Sequence, residues 1–248
     1  DGQTSLTDYS TPHGLPALRQ LLSRRLADRG IEAPVHQIML TESGTQAIDL
    51  MCRFLVEPGD TVLLDDPCYF NFHAMLRAHR IEVVSVPYTP SGPDLALFEQ
   101  ALIDHAPRLY ITNSALQNPT GATLSPAVAH RVLKLAEQHG LLIIEDDIFA
   151  DFEHEPAPRL AAFDGLDRVV HIGSFSKTLS ASVVPIALCS ALLIAEGGRF
   201  IWWISTFAVL SSLFIQIGTN LVNDSVDFKR GADDENRLGP QRVTQSGL

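Results

Sequence analysis

Ser125-Pro126-Ala127-Val128-Ala129-His130-Arg131-Val132-Leu133-Lys134-Leu135-Ala136-Glu137-Gln138-His139-Gly140-Leu141-Leu142-Ile143-Ile144-Glu145-Asp146 spells a helix and a strand end to end. Ser125 is an N-cap residue type, and Pro126 suits the first helical position, where a missing N–H breaks no bond. Apolar residues recur at helical spacing through 126–139, Gly140 closes the helix, and the apolar run 141–145 predicts a buried strand. Working outward, 37–40, 61–64, 82–86, 108–111 and 168–172 read as further strands. Segments 15–29, 46–55, 71–79 and 94–105 carry helical spacing, and Gly30 ends the first of them. Such alternation predicts an open α/β sheet with helices on both faces. No internal repeat or low-complexity linker interrupts it.

The chain has 248 residues and a net charge of −11. That acidity argues against a nucleic-acid partner, because affinity for a phosphate backbone comes from clustered Lys and Arg. Cys52, Cys68 and Cys189 are odd in number and lack paired or metal-ligand spacing, so they read as core residues in a reducing compartment. The chain begins Asp1-Gly2-Gln3, with no Met and no signal-peptide pattern, which predicts a cytoplasmic fragment.

Sheets of this kind bind ligands outside the carboxyl ends of their strands. Ser43-Gly44-Thr45-Gln46 opens a helix there, either as a plain N-cap or as a phosphate cradle in which small residues let backbone N–H groups approach an anion. Asp65-Asp66-Pro67-Cys68-Tyr69 places an aromatic ring that either packs in the core or stacks on a flat cofactor. Gln117-Asn118-Pro119-Thr120-Gly121 is a turn by composition, and Asn118 is able to donate to a ring oxygen. Asp146 ends strand 141–145, where a carboxylate keeps a pyridine nitrogen protonated and makes the ring an electron sink. Lys177, in Ser174-Phe175-Ser176-Lys177, follows the last strand. A lone lysine there is a solvated charge, but one with a lowered pKa forms a Schiff base.

Phosphate cradle, stacking ring, ring-oxygen donor, carboxylate and amine occur in the order one cofactor requires. Residues from about 9 to 182 resemble the large domain of the fold-type I pyridoxal phosphate enzymes, the class I/II aminotransferases, in the flavour of MocR-type regulators. The resemblance implies a mixed, mostly parallel sheet over 1–182, pyridoxal 5'-phosphate as cofactor, and an amino acid or oxo acid as substrate. It also implies Gly44, Thr45 and Gln46 at the phosphate with help from Ser174 and Ser176, Tyr69 over the ring and Asn118 at the ring oxygen. Asp146 would meet the pyridine nitrogen, and Lys177 would be the Schiff-base lysine. Tyr9 would reach the phosphate of a neighbouring subunit in a homodimer. Three departures predict impaired turnover. Phe149 stands where the family has a tyrosine, Val184 stands where it has a phosphate-clamping arginine, and the small C-terminal domain is not supplied.

The tail has a different character. Uncharged runs of 17 residues (179–195) and 23 residues (200–222) flank Glu196-Gly197-Gly198-Arg199, against the roughly 20 residues that span a bilayer. They read as buried core helices or as a two-helix apolar hairpin of membrane type over 183–222. The hairpin would tether the cytoplasmic part to the inner membrane, with Lys229, Arg230, Arg237 and Arg242 on the inner side. Residues 223–233 gather carboxylates suited to Mg²⁺ and a diphosphate, or to an acidic solvated loop. This segment resembles the UbiA superfamily, especially the dihydroxynaphthoate polyprenyltransferases of menaquinone synthesis. That likeness implies Asn223, Asp224, Asp227 and Asp233 as Mg²⁺ ligands. The expectation is a chimera or truncated fusion of 1–182 with 183–248, joined at Lys177-Thr178-Leu179-Ser180-Ala181-Ser182. The competing functions are an aminotransferase, a non-catalytic pyridoxal phosphate sensor and a prenyltransferase fragment. A serine acyl-enzyme built on the Ser174 and Lys177 spacing lacks the companion motifs.

Overall fold

Six strands line up in the computed structural model, which describes residues 11–153 and 156–177 together with Thr206 and Leu210. They are β1 (Thr61–Asp66), β2 (Glu82–Thr89), β3 (Gly92–Pro93), β4 (Leu109–Thr112), β5 (Leu142–Asp146) and β6 (Val169–Ile172). Their spatial order is β3-β2-β1-β4-β5-β6. All neighbours run parallel except the short pair of β2 with β3, so the sheet is mixed but mostly parallel, as expected. The helices are α1 (Pro16–Ala27), α2 (Gly44–Leu55), α3 (Phe70–Ala78), α4 (Leu95–His105), α5 (Pro126–His139) and α6 (Leu160–Asp164). The chain divides into two compact units, Asp1–Ser174 and Phe175–Leu248, and the sheet lies in the first.

Side chains alternate across a strand, so each strand contributes to two cores. Leu63, Val86, Tyr110, Ile143 and Val169 meet Phe98 and Leu102 of α4, Val132 and Leu135 of α5, and Leu160 of α6. Val62, Leu64, Leu109, Ile111, Ile144 and Ile172 meet Ile48 and Cys52 of α2 and Phe72 and Leu76 of α3. Both faces of the sheet are therefore covered, which explains why its strands read as apolar runs. Phe98 and Tyr110 pack edge to face at 5.1 Å between ring centres, a geometry that contributes about 0.5–1.5 kcal/mol beyond area burial.

Local signals set the helix ends. Ser125 Oγ accepts from Val128 N at 3.3 Å, and Gly140 ends α5 at φ +66 with its N–H on the carbonyls of Ala136 and Glu137. Asp94, expected inside a helix, instead caps α4, its Oδ1 accepting from the amides of Ala96 (3.0 Å) and Leu97 (3.1 Å). The strand expected over 37–40 is not one. Val35–Gln37 makes a 3-10 turn, after which Ile38 enters the core and Leu40 N–H bonds the His13 carbonyl at 3.0 Å. The apolar run Ile38-Met39-Leu40 is there, but among the described residues no neighbouring strand supplies a ladder. The five-residue α6 and the two-residue β3 carried no readable period.

Tyr9, Val184, Asn223, Asp224, Asp227 and Asp233 lie outside the described residues, as do 179–195 and, apart from Thr206 and Leu210, 200–222. Among the described residues no helix is long and apolar enough to cross a membrane, and no group of three His, Cys, Asp or Glu is placed to hold a metal ion.

Gly92 turns the chain between β2 and α4 at φ +132, and a Cβ there would lie 2.5 Å from Leu124 Cδ1 and 2.7 Å from Val128 Cγ1. Gly59, at φ +95, has nothing within 4 Å of such a Cβ. Gly92→Ala is expected to lower stability by more than about 2 kcal/mol in urea unfolding and Gly59→Ala by about 1 kcal/mol, since only the first combines backbone strain with a clash.

Candidate functional site

From β1 the sheet grows outward in both directions, through β2 on one side and β4 on the other. The carboxyl ends of β1 and β4 therefore flank a topological switch point, where open α/β sheets form a crevice. The loop after β1 carries Tyr69, and the loop after β4 carries Asn118. Tyr69 is half-buried, its ring edge-on to Phe70 and Phe72, and its hydroxyl accepts from Asn71 Nδ2 at 2.7 Å. Asn118 is half-buried in a turn tied by Gly121 N–H to the Gln117 carbonyl at 2.7 Å.

Three consecutive carboxylates end or follow β5, and all are buried. Alternation sends Glu145 and Asp147 to the α4–α6 side and Asp146 to the α2 side. Glu145 accepts from Ser114 Oγ and from the amides of Leu160 (2.7 Å) and Ala161 (2.9 Å), anchoring the start of α6. Asp147 accepts from Arg159 Nε at 3.1 Å and Nη2 at 3.2 Å, and pairs with His171 Nε2 at 3.0 Å. Burial alone would raise the Asp147 carboxyl, but His171 and Arg159 outweigh it and hold the group below the usual carboxylate range.

Asp146 is different. It is 4% exposed, and its Oδ1 is buried without a hydrogen-bond partner among the described residues. Asn113 Nδ2 donates to its backbone carbonyl at 2.8 Å and so fixes the strand end. Burial pushes the carboxyl up to about 6, with the Asp147 charge adding to the rise and the Asn113 side chain and Ile148 amide opposing it. A buried acceptor of this kind is suited to a cationic N–H donor brought by a ligand.

The N-terminus of α2 meets the same face. A Cβ on Gly44 would lie 3.3 Å from Ile148 Cγ2 and 3.9 Å from Ile172 Cγ2, so glycine permits the close approach of α2 to the ends of β5 and β6. Ser43 Oγ accepts from Gln46 N at 3.1 Å, and Gln46 Oε1 accepts from Glu42 N at 2.8 Å. Gln46 therefore braces the turn, while the Gly44 and Thr45 amides have no backbone partner among the described residues. Donors at a helix start favour an anion.

Ser174 is half-buried just past β6, while Ser176 and Lys177 are exposed and belong to the second unit. Phe149 precedes the 3-10 turn Ala150–Phe152, its ring 6.5 Å from that of Phe152. Sequence reasoning passed over Asn113, Asp147, Arg159 and His171, and assigned Gln117 no role. Asn113, Asp147 and His171 stand out in the sequence only as polar residues at or near strand ends, and Arg159, in the connection between β5 and β6, by no signal at all.

The family described as aminotransferase class I and II matches residues 2–222. An uncharacterized HTH-type transcriptional regulator of Escherichia coli, YdcR, is 34% identical over 68% of this chain and 36% of its own length. Aromatic-amino-acid aminotransferase 1 of Thermococcus litoralis is 29% identical over 69% of this chain and 43% of its own. Among solved structures, Pyrococcus horikoshii kynurenine aminotransferase aligns at a TM-score of 0.65 and 27% identity, covering 71% of this chain and 46% of that one. LysN, the alpha-aminoadipate aminotransferase of Thermus thermophilus, complexed with N-(5'-phosphopyridoxyl)-L-leucine, aligns at 0.64 and 26% identity over 86% and 56%. The chain spans about two-fifths of the length of these curated relatives.

The rise of the Asp146 carboxyl from 3.8 to about 6 corresponds to about 3 kcal/mol against the ionised form in the fold. A raised acid pKa leaves stability intact below about pH 4 and removes it as pH climbs through about 6. Asp146→Asn is therefore expected to stabilise the cofactor-free protein by up to about 3 kcal/mol near pH 8 in urea titrations, the difference vanishing near pH 4.

Proposed function

Because the chain belongs to the class I and II aminotransferase family, we propose that residues 1–182 form a pyridoxal phosphate-binding aminotransferase-like domain acting on amino acids and oxo acids. The observation that supports this best is the buried Asp146 Oδ1, without a hydrogen-bond partner among the described residues, at the end of a strand that Gly44 lets α2 approach closely through Ile148. When bound, pyridoxal phosphate supplies a carbonyl carbon for an amine and a ring that accepts electrons once its nitrogen is protonated.

The chain's residues divide the work of holding that group. Asp146 Oδ1 accepts the hydrogen bond of the protonated ring nitrogen, recovering the interaction that its burial removed. The amides of Gly44 and Thr45 donate to the phosphate, Gln46 keeps their turn in place, and the hydroxyls of Ser174 and Ser176 add further donors. The Tyr69 ring covers one face of the cofactor, and Asn118 Nδ2 donates to the ring oxygen. Lys177 Nζ would be the amine that holds the carbonyl carbon of the group, and, when free, the base suited to move a proton at the substrate's α-carbon. In a homodimer, Tyr9 reaches the phosphate held by the neighbouring subunit.

Phe149 and Val184 withhold a ring-oxygen donor and a phosphate cation, so turnover is slow relative to binding. The HTH-type regulators among the relatives favour a second reading, a domain that binds the cofactor as a sensor without turning over substrate. For 183–248 the uncharged runs support an alternative, a fragment of a membrane prenyltransferase of menaquinone biosynthesis with Mg²⁺ at Asn223, Asp224, Asp227 and Asp233.

Purified protein mixed with pyridoxal phosphate is expected to develop a visible absorbance band that Lys177→Ala abolishes, and the absence of a lysine-dependent band overturns the proposal. Addition of amino acids should bleach the band slowly for an impaired enzyme and leave it unchanged for a sensor. If 183–222 is a membrane hairpin, membrane fractions should release the full chain to detergent but not to high salt or alkaline wash.

A further inference from the structure

Gln117 joins the two loops that flank the switch point. It is 2% exposed, and every polar group it carries is engaged. Its Nε2 donates to the Pro67 carbonyl at 2.5 Å. Its Oε1 accepts from Thr120 N at 3.0 Å and from Thr120 Oγ1 at 2.6 Å. Its backbone N–H bonds the Ala122 carbonyl at 2.9 Å, and its carbonyl accepts from Gly121 N at 2.7 Å.

The chemistry of the partners fixes which way the side-chain amide points. Thr120 N–H is only a donor and the Pro67 carbonyl only an acceptor, so the reversed amide would set donor against donor and acceptor against acceptor. The Nε2 bond is thus the one that leaves the Gln117 turn and crosses to the loop after β1. Tyr69 lies two residues beyond Pro67, and Asn118 follows Gln117 directly. No side chain of Tyr69 or Asn118 need touch its counterpart for the two to be held in register. The β1–β4 ladder pairs Leu64 with Ile111, and Asp65 accepts from Thr112 Oγ1 at 2.7 Å, which fixes the two strand ends; the Gln117 amide extends that link to the loops beyond them.

We propose that Gln117 is a positioning residue that sets the distance between the Tyr69 face and the Asn118 donor, and thereby preorganises the cofactor crevice. It touches neither cofactor nor substrate and acts through Pro67 and its own turn. The inference rests on the assignment of Tyr69 and Asn118 to pyridoxal phosphate.

Gln117→Glu separates the two halves of the device. At about pH 8 the introduced carboxylate still accepts from Thr120 but no longer donates to Pro67; burial and the facing Pro67 carbonyl raise its pKa, so that at about pH 5 its protonated form donates again. Hydrogen exchange on the full chain without added cofactor is expected to show the Phe72 amide, which bonds the Tyr69 carbonyl at 3.0 Å, roughly three- to tenfold faster than wild type at about pH 8, with the Gly121 and Ala122 amides unchanged. The affinity for pyridoxal phosphate, read by the absorbance titration, should fall by a similar factor. Both effects should shrink toward wild type at about pH 5, when exchange rates are corrected for their intrinsic pH dependence. Unchanged exchange at Phe72, equal loosening of both loops, or a defect independent of pH each overturns the proposal.

If Gln117→Glu does not fold, Gln117→Met carries the test, since it fills similar space without either hydrogen bond. It should then loosen Phe72 and 121–122 together, and unchanged protection of Phe72 would overturn the coupling. A wild-type protein that binds no pyridoxal phosphate while the exchange coupling persists locates the failure in the functional reading. A wild type that binds, with no coupling to Gln117, locates it here.

Discussion

Burying three acidic side chains in a row at the end of a central strand is the constraint around which the rest of this molecule is arranged. An ionised carboxylate in a low-dielectric interior is costly unless donors or cations compensate it. Glu145 has one hydroxyl and two helix-start amides. Asp147 has a guanidinium and an imidazole. These partners come from the segment after β4, from β6, from α6 and from the segment before α6, so compensating the two charges also fixes where those elements sit. Among the described residues Asp146 receives no such partner on Oδ1, and the fold tolerates the cost because the other two carboxylates hold the surrounding chain in place.

The same principle operates at β1. Asp65 is buried on the α4–α6 side and accepts from the Tyr110 hydroxyl and from Thr112 Oγ1 at 2.7 Å. Burial nevertheless pushes its carboxyl up to about 7. Its neighbour Asp66 is exposed at the opposite edge of the pleat. Two adjacent acids thus have opposite fates, decided by the period of the strand and by which face finds hydroxyl donors on β4. The loops that leave β1 and β4 are then joined by the Gln117 amide, so the crevice is bounded by a side chain whose value is geometric.

Much of this was legible in the chain. Alternating strands and helices, Ser125 with Pro126 and Gly140, and the apolar runs of the central strands are local signals, and the parallel sheet with both faces covered follows from them. Gly44, Tyr69, Asn118 and Asp146 could be singled out because the carboxyl end of a strand is a position that can be counted along the sequence. The strand expected over 37–40 shows the limit. Its apolar pattern was real, but a strand exists only if a neighbour accepts its hydrogen bonds, and Leu40 finds a single carbonyl, that of His13.

Sequence by itself determined the order of the elements, the face on which each strand residue lies, and the presence of a carboxylate at the end of β5, because periods of 2 and 3.6 residues and capping preferences are properties of the local backbone. Tertiary structure alone decided which of Glu145, Asp146 and Asp147 keeps an oxygen without a hydrogen-bond partner among the described residues, and that an unassigned glutamine bridges two loops. The donors that make those choices, Ser114, Arg159, His171 and the Gln117 amide reaching Pro67, lie 12 to 50 residues from their acceptors, and only folding brings them within hydrogen-bond distance.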